Sequence, residues 1–244
     1  MPEGPTIQLL KEKLEPFNGE KIIAANGYAK GFDPLILKNQ TITDIKSWGK
    51  QLIICFPDFA IRLHMGLFGS YKINDRSKSN ASLHLKFREG EINFYITSVK
   101  LIEEPLDEVY DWAADVLNPA FDAKKARKKL LEKPQTLICD ALLNQDIFAG
   151  SGNIVKNEVL FRVKVHPENT IGDIPTRKLN ELIKETVKFC TDFYNWKKEN
   201  TLIRHLEAYE KEMCPRNHIP FHKADLGKTK RHTYFCPVCQ VLYK

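Results

Sequence analysis

The sequence predicts an α+β chain: a β-sandwich or barrel half, a helical half, and a small tail. Three observations carry this. Between Lys21 and about Leu101, short β-rich runs alternate with turn-prone pieces. Beyond Asn118 the apolar residues recur at helical spacing instead. From Cys214 onward the chain is rich in Cys, His, Pro and Lys, with too little apolar content to fold unaided.

A helix precedes the strands. In TIQLLKEKLEPF, Ile7, Leu10 and Leu14 are helically spaced, and Pro16 and Gly19 end the run. Seven strand-like runs follow: KIIAANGY, TITDIKSW, QLIICF, FAIRLHM, GSYKI, SLHLKF and EINFYI. FPD, NDRSKSN and REGE are the turns between some of them. The strand signal stops near EEPLDEVYDWAADVLNPAFD, where Asn118-Pro119 marks a hinge. DAKKARKKLLEK and QTLICDALLNQ read as helices, then comes the turn FAGSG. NIVKNEVLFRV and TRKLNELIKETVKFCTDFYNWKKE read as two more helices. The expected parts are residues 1–118, 119–208 and 209–244.

Of 244 residues, 43% are hydrophobic and 28% charged, an ordinary globular balance. A net charge of +6 favours an anionic partner. No apolar run is long enough to span a bilayer, so no membrane partner is expected. The front lacks the basic-then-apolar pattern of a leader. Six cysteines in that setting read as reduced thiols or metal ligands, and the expected location is the cytoplasm, or a nucleus in a eukaryote.

The tail holds Cys236-Pro-Val-Cys239, a two-residue-spaced pair of the zinc-knuckle type. Cys214 supplies a third thiol, and His218 is the natural fourth ligand, with His222 and His232 also in reach. Three thiolates and an imidazole close a tetrahedral site, which holds a fold and does no chemistry. One structural Zn2+ is therefore expected. Lys228, Lys230, Arg231 and His232 fall at or near the hairpin tip, where cations suit a phosphate backbone.

LLNQDIFAGSGNIVKNEVLF reads as helix, tight turn, helix, with the second helix starting at Asn153. A helix start offers free N–H groups to an anion, and Asn153 either caps it or binds a phosphate oxygen itself. The opening MPEGP, taken alone, reads as a short polar start before a helix.

Together, PEGP at the front, AGSGN between helices and RHTYFCPVCQ near the end resemble the formamidopyrimidine-DNA glycosylase/endonuclease VIII family over nearly all of the chain. The resemblance implies a β-sandwich domain, a helix-two-turn-helix domain and a zinc-finger hairpin. PEGP is closer to the endonuclease VIII branch; a Cys–His–Cys–Cys finger departs from the commoner four-cysteine form. The family consists of base-excision repair enzymes. The implied activity is a DNA glycosylase and abasic-site lyase on damaged double-stranded DNA, acting as a monomer.

By this resemblance Pro2, exposed once Met1 is removed, is the nucleophile. A terminal amine titrates near about 7.7–8.0, against about 10.4 for lysine, so a useful fraction is neutral. Glu3 is the general acid/base, Lys50 binds phosphate and aids proton transfer, and Arg231 clamps phosphates and serves the second elimination. Asn153 holds phosphate, and Leu67 and Phe68 in HMGLFG fill the gap left by an everted base. On side-chain pattern alone, AIRLHMGLF also reads as a buried strand. ITSVKLIEEP lacks the arginine–phenylalanine pair of the formamidopyrimidine branch, Thr6 stands where that branch has glutamate, and DWAADVLNP lacks the usual Gly-Pro-Asp. Oxidised pyrimidines are thus the favoured substrates. The rivals are an oxidised-purine glycosylase and a non-catalytic damage-binding protein.

Overall fold

The computed structural model describes residues 2–243, which divide into two compact units, one up to Tyr110 and one from Asp111 on. The first is a sandwich. α1 (Gly4–Leu14) leads into strands β1 (Ala24–Asn26), β2 (Asp44–Trp48), β3 (Gln51–Cys55), β4 (Ala60–His64), β5 (Ser70–Ile73), β6 (Leu83–Phe87), β7 (Gly90–Tyr95) and β8 (Ser98–Ile102). A short helix, α2 (Leu106–Val109), ends the unit. One sheet has the order β1-β6-β7-β5 and the other β2-β3-β4-β8, all antiparallel. Two separate four-stranded sheets decide for a sandwich over a barrel.

Alternation sets the inner faces. Ile45, Ile54 and Ile61 lie side by side across one sheet, and Leu85 and Ile92 across the other. These pack with Ile7, Leu10 and Leu14 of α1 in one core. Each such buried side chain contributes about 1.5–3 kcal/mol of transfer free energy. Sequence analysis named seven strand runs; the structure adds β8, which follows β7 after only Ile96 and Thr97. No Gly, Pro, Asn or Asp marks that turn, and Ile96 takes a positive φ of 49° to make it.

On the outer side of the first sheet, Glu91 is buried and receives Arg76 at both oxygens (Nε 2.7 Å, Nη2 2.5 Å), with Asn93 at 3.1 Å and His84 at 3.3 Å. The Arg76 fork holds its carboxyl down at about 2, against burial. A carboxylate depressed below its usual 4.5 adds stability that is complete above pH 4.5 and lost as pH falls towards 2. Glu91→Gln should therefore destabilise the fold by about 1–2 kcal/mol at pH 7. That difference should shrink below pH 4.5 and vanish only as pH falls through about 2 in denaturant melts across pH.

The second unit contains α3 (Ala123–Leu131), α4 (Ile138–Ala141), α5 (Asn153–Arg162), α6 (Thr176–Lys198) and α7 (Leu202–His205) around one core. A hairpin, β9 (His222–Leu226) and β10 (Arg231–Phe235), follows. The helix expected across QTLICDALLNQ shrinks to the four residues of α4. Its front is tied in an extended bridge, Leu137 to Thr170, with the Ile138 N–H on Asn169 O at 2.9 Å. Phe161, Ala208, Cys214, Phe221 and Cys236 form a separate small core beneath the hairpin. No helix among the described residues is long and apolar enough to cross a membrane.

Candidate functional site

Met1 lies outside the described residues. Pro2 is half-buried, and Glu3 is 1% exposed at the start of α1. Glu3 caps the helix through its carbonyl, which accepts from Thr6 N at 2.9 Å and Ile7 N at 3.2 Å; its side chain makes no cap bond. Pro5, in the first turn, has its ring angle preset for the helix. A buried carboxyl directly after Pro2 is thus built into the helix start.

Lys50 is half-buried in the two-residue turn between β2 and β3, made possible by Gly49 at φ +55°. The base of that hairpin is fixed on both sides. Ser47 Oγ donates to Gln8 Oε1 of α1 at 2.8 Å, and Tyr110 Oη donates to Gln51 Oε1 at 2.9 Å. The ring of Tyr110 lies 5.2 Å from that of Trp48. The Ser47–Gln8 bond ties the hairpin that carries Lys50 to the N-terminal half of α1, the half that follows Pro2 and Glu3. His64, at the end of β4, has its pKa lowered by burial, then by the charges of Arg62 and Lys50. It is neutral at pH 7, and its Nδ1 accepts from Gly66 N at 3.2 Å. No sequence pattern assigned His64 or Arg62 a role; that His64 lies close enough to Arg62 and Lys50 to feel their charges emerges only from the strand pairing.

Leu67 and Phe68 are not strand core. They sit in the turn after β4 and are 48% and 77% exposed. Gly66 (φ +54°) and Gly69 close this turn, with Gly69 N on Met65 O at 2.8 Å. A Cβ at Gly69 would lie 2.2 Å from that carbonyl oxygen. Met65 is buried and anchors the turn, so two large apolar side chains are held outward on a fixed base.

In the second unit, Gln145 braces the glycine turn: its Oε1 accepts from Gly150 N at 3.0 Å and its Nε2 donates to Ser151 O at 3.1 Å. Asn153 is the first residue of α5. Its Nδ2 donates to His232 O at 3.0 Å, so Asn153 and the finger strand carrying Arg231 come together. The buried Ser151 Oγ and Asn153 Oδ1 have no hydrogen-bond partner among the described residues. Arg231 is half-buried at the start of β10. The tip before it is held by Asp140 of α4, whose two oxygens accept from Lys228 N at 3.0 Å each. Gly227 is required there, because a Cβ would lie 2.3 Å from Asp140 Oδ1.

The sulfurs of Cys214, Cys236 and Cys239 converge within 4.8 Å of one another. Three soft donors at that spacing fit a tetrahedral zinc ion. His218 does not join them. Asn217 faces the sulfurs instead, with Nδ2 at 3.4 Å from both Cys236 and Cys239. His218 follows in a left-handed conformation (φ +57°), its N–H on Cys214 O at 2.8 Å. His232 pairs with Asp225, and the His222 ring lies 5.5 Å from Phe235.

Two further residues were not legible as functional. Glu158 of α5 is fully buried, and its carboxylate accepts from Glu207 N at 3.0 Å, Ala208 N at 2.7 Å and Tyr209 N at 2.8 Å. It anchors the segment that leads into the finger. Lys156, one turn into α5, is also buried.

Comparison with known proteins agrees with this layout. The family model described as the formamidopyrimidine-DNA glycosylase N-terminal domain matches residues 1–97, and that of the formamidopyrimidine-DNA glycosylase H2TH domain matches residues 112–198. The fold is that of a DNA glycosylase family. The chain belongs to the formamidopyrimidine-DNA glycosylase/endonuclease VIII family. Mouse endonuclease 8-like 3 is 31% identical over 205 residues, covering 80% of this chain and 34% of that protein. The chain thus spans about a third of the length of that relative. Cattle endonuclease 8-like 2 is 25% identical, covering 98% of this chain and 96% of the relative. The crystal structure of Lactococcus lactis formamidopyrimidine-DNA glycosylase bound non-covalently to DNA containing an AP site matches with a TM-score of 0.86. It is 27% identical and covers 98% of this chain and 99% of its own.

Proposed function

We propose that the protein is a DNA glycosylase and abasic-site lyase that removes oxidised bases, pyrimidines above all, from double-stranded DNA and works as a monomer. The observation that carries this reading is the front of α1, where Glu3 is buried directly beside Pro2. Once Met1 is removed, the Pro2 nitrogen lone pair bonds to the sugar C1′. The glycosidic electron pair leaves with the damaged base, which takes a proton. The Pro2 nitrogen gives up its proton, the C1′–O4′ bond of the resulting N,O-aminal breaks with O4′ taking a proton, and the product is the ring-opened iminium ion. Its positive nitrogen acidifies the C2′ proton; when that proton is taken, the C3′–O bond breaks and phosphate leaves. Glu3 moves protons during ring opening, and Lys50 binds phosphate and assists the elimination. Arg231 and Asn153 grip the flanking phosphates, and Leu67 and Phe68 enter the step vacated by the base.

Zinc, when bound, supplies cross-linking of the finger and no chemistry on the sugar. Cys214, Cys236 and Cys239 would hold it. For the fourth ligand we propose His218, whose exposed side chain would have to turn in toward the sulfurs that Asn217 now faces, because an imidazole binds zinc far better than an amide.

The preference for pyrimidines is supported by the stretch ITSVKLIEEP, which makes the β7–β8 connection with Ile96 and Thr97 and carries neither arginine nor phenylalanine. Turnover on matched duplexes tests it. Thymine glycol should be released at least about tenfold faster than 8-oxoguanine, a modest discrimination in free energy. Faster release of 8-oxoguanine would assign the protein to oxidised purines.

A further inference from the structure

Lys156 is 1% exposed, and nothing in the proposed chemistry uses it. A buried ammonium is strongly disfavoured unless its donors are met. Lys156 Nζ donates to Thr233 Oγ1 at 2.8 Å and to His232 O at 3.3 Å. The Thr233 hydroxyl in turn donates to Arg231 O at 2.9 Å. Thr233 is itself buried, so this relay is shielded from water. Asn153, Lys156 and Asn157 lie on one face of α5, at i, i+3 and i+4. All three reach the same acceptor, His232 O, at 3.0, 3.3 and 3.3 Å. A carbonyl has two lone pairs, so three donors on it concentrate positive charge at one point of the strand. Asn157 Oδ1 also accepts from Tyr234 N at 2.7 Å. The backbone of residues 231–234 is thus bonded to α5 directly at the His232 carbonyl and the Tyr234 N–H, and through the Thr233 hydroxyl at the Arg231 carbonyl.

We infer that Lys156 is a positioning residue: its ammonium, acting through Thr233, locks the backbone of Arg231 to the first turn of α5, so that the finger-tip guanidinium and the helix start grip one stretch of phosphate backbone as a single unit. This rests on the functional reading above for what is gripped. The lock itself rests on the geometry alone.

The test compares Lys156→Met, which keeps the side chain's length without its charge, Lys156→Arg, Arg231→Ala and Lys156→Met combined with Arg231→Ala. Metal content and melting temperature identify folded variants. Binding to a duplex with a tetrahydrofuran abasic-site analogue is measured over a range of salt. Arg231→Ala should weaken binding about tenfold and lower the salt slope by about one. Lys156→Met should do the same, the double variant should bind no worse than Arg231→Ala, and Lys156→Arg should retain most of the affinity. Additive losses, or a Lys156→Met variant with the wild-type salt slope, would overturn the inference. So would unchanged hydrogen exchange at the Tyr234 amide in DNA-free Lys156→Met, since the lock predicts faster exchange there while α6 stays protected. A wild-type protein that forms no covalent adduct with abasic DNA is a separate result. It counts against the chemistry and leaves the exchange measurement standing as the test of the lock.

Discussion

Glu3→Gln should lower base release by about 10²–10⁴-fold while leaving the fold intact. Glu3 is almost fully buried, yet it caps α1 through its backbone carbonyl, which glutamine keeps. The substitution removes one proton-transfer group and keeps the backbone cap and the side-chain volume. Single-turnover release from a thymine glycol duplex reads the loss, and binding of the same duplex should change less than about threefold. A parallel fall in melting temperature and rate would mark Glu3 as a helix-start residue with no part in the chemistry.

Cys236→Ser should unfold the finger. Cys236 is fully buried, and among the described residues the core around it has four other buried members, Phe161, Ala208, Cys214 and Phe221, with Ile219 and Cys239 packed against it. A core that small does not stand alone, whereas a structural zinc contributes about 10–16 kcal/mol of binding free energy in small finger peptides. The bound metal should fall from one per chain to near zero. Duplex affinity should drop by at least about tenfold as the Arg231 clamp is lost. The sandwich, which has its own core, should keep its hydrogen-exchange protection. His218→Ala should likewise lower metal retention, while His222→Ala and His232→Ala should leave it unchanged. Metal retained at one per chain in His218→Ala would transfer the fourth position to Asn217.

Much of this was legible in the chain. Short β-rich runs between turn-prone pieces marked seven of the eight sandwich strands, several of them buried on both faces. α1 was legible because Ile7, Leu10 and Leu14 share a stripe. The cysteines were legible as a local spacing, and the structure brings their sulfurs within 4.8 Å of one another. The front Pro-Glu pair and the turn asparagine each read alone as a helix start and stood out only through the family resemblance. β8 was hidden because Ile96 and Thr97 are not turn formers. The exposure of Leu67 and Phe68 was ambiguous because the strand-like alternation of AIRLHMGLF runs straight into them, and only Gly66 and Gly69 break it. Lys156 and Glu158 were illegible for a different reason. Their partners lie 77 and about 50 residues further on, so no local pattern could reveal that these polar helix positions are buried. The same holds for Asp140 and Lys228, 88 residues apart.

The central claim is a covalent bond from the Pro2 nitrogen to deoxyribose. Borohydride reduction of the protein with an abasic-site duplex, followed by peptide mass spectrometry, tests it most directly. The account predicts an adduct on the processed N-terminal peptide, at Pro2, in protein with its first methionine removed and its metal in place. An adduct on Lys50, or no adduct under those conditions, would contradict it.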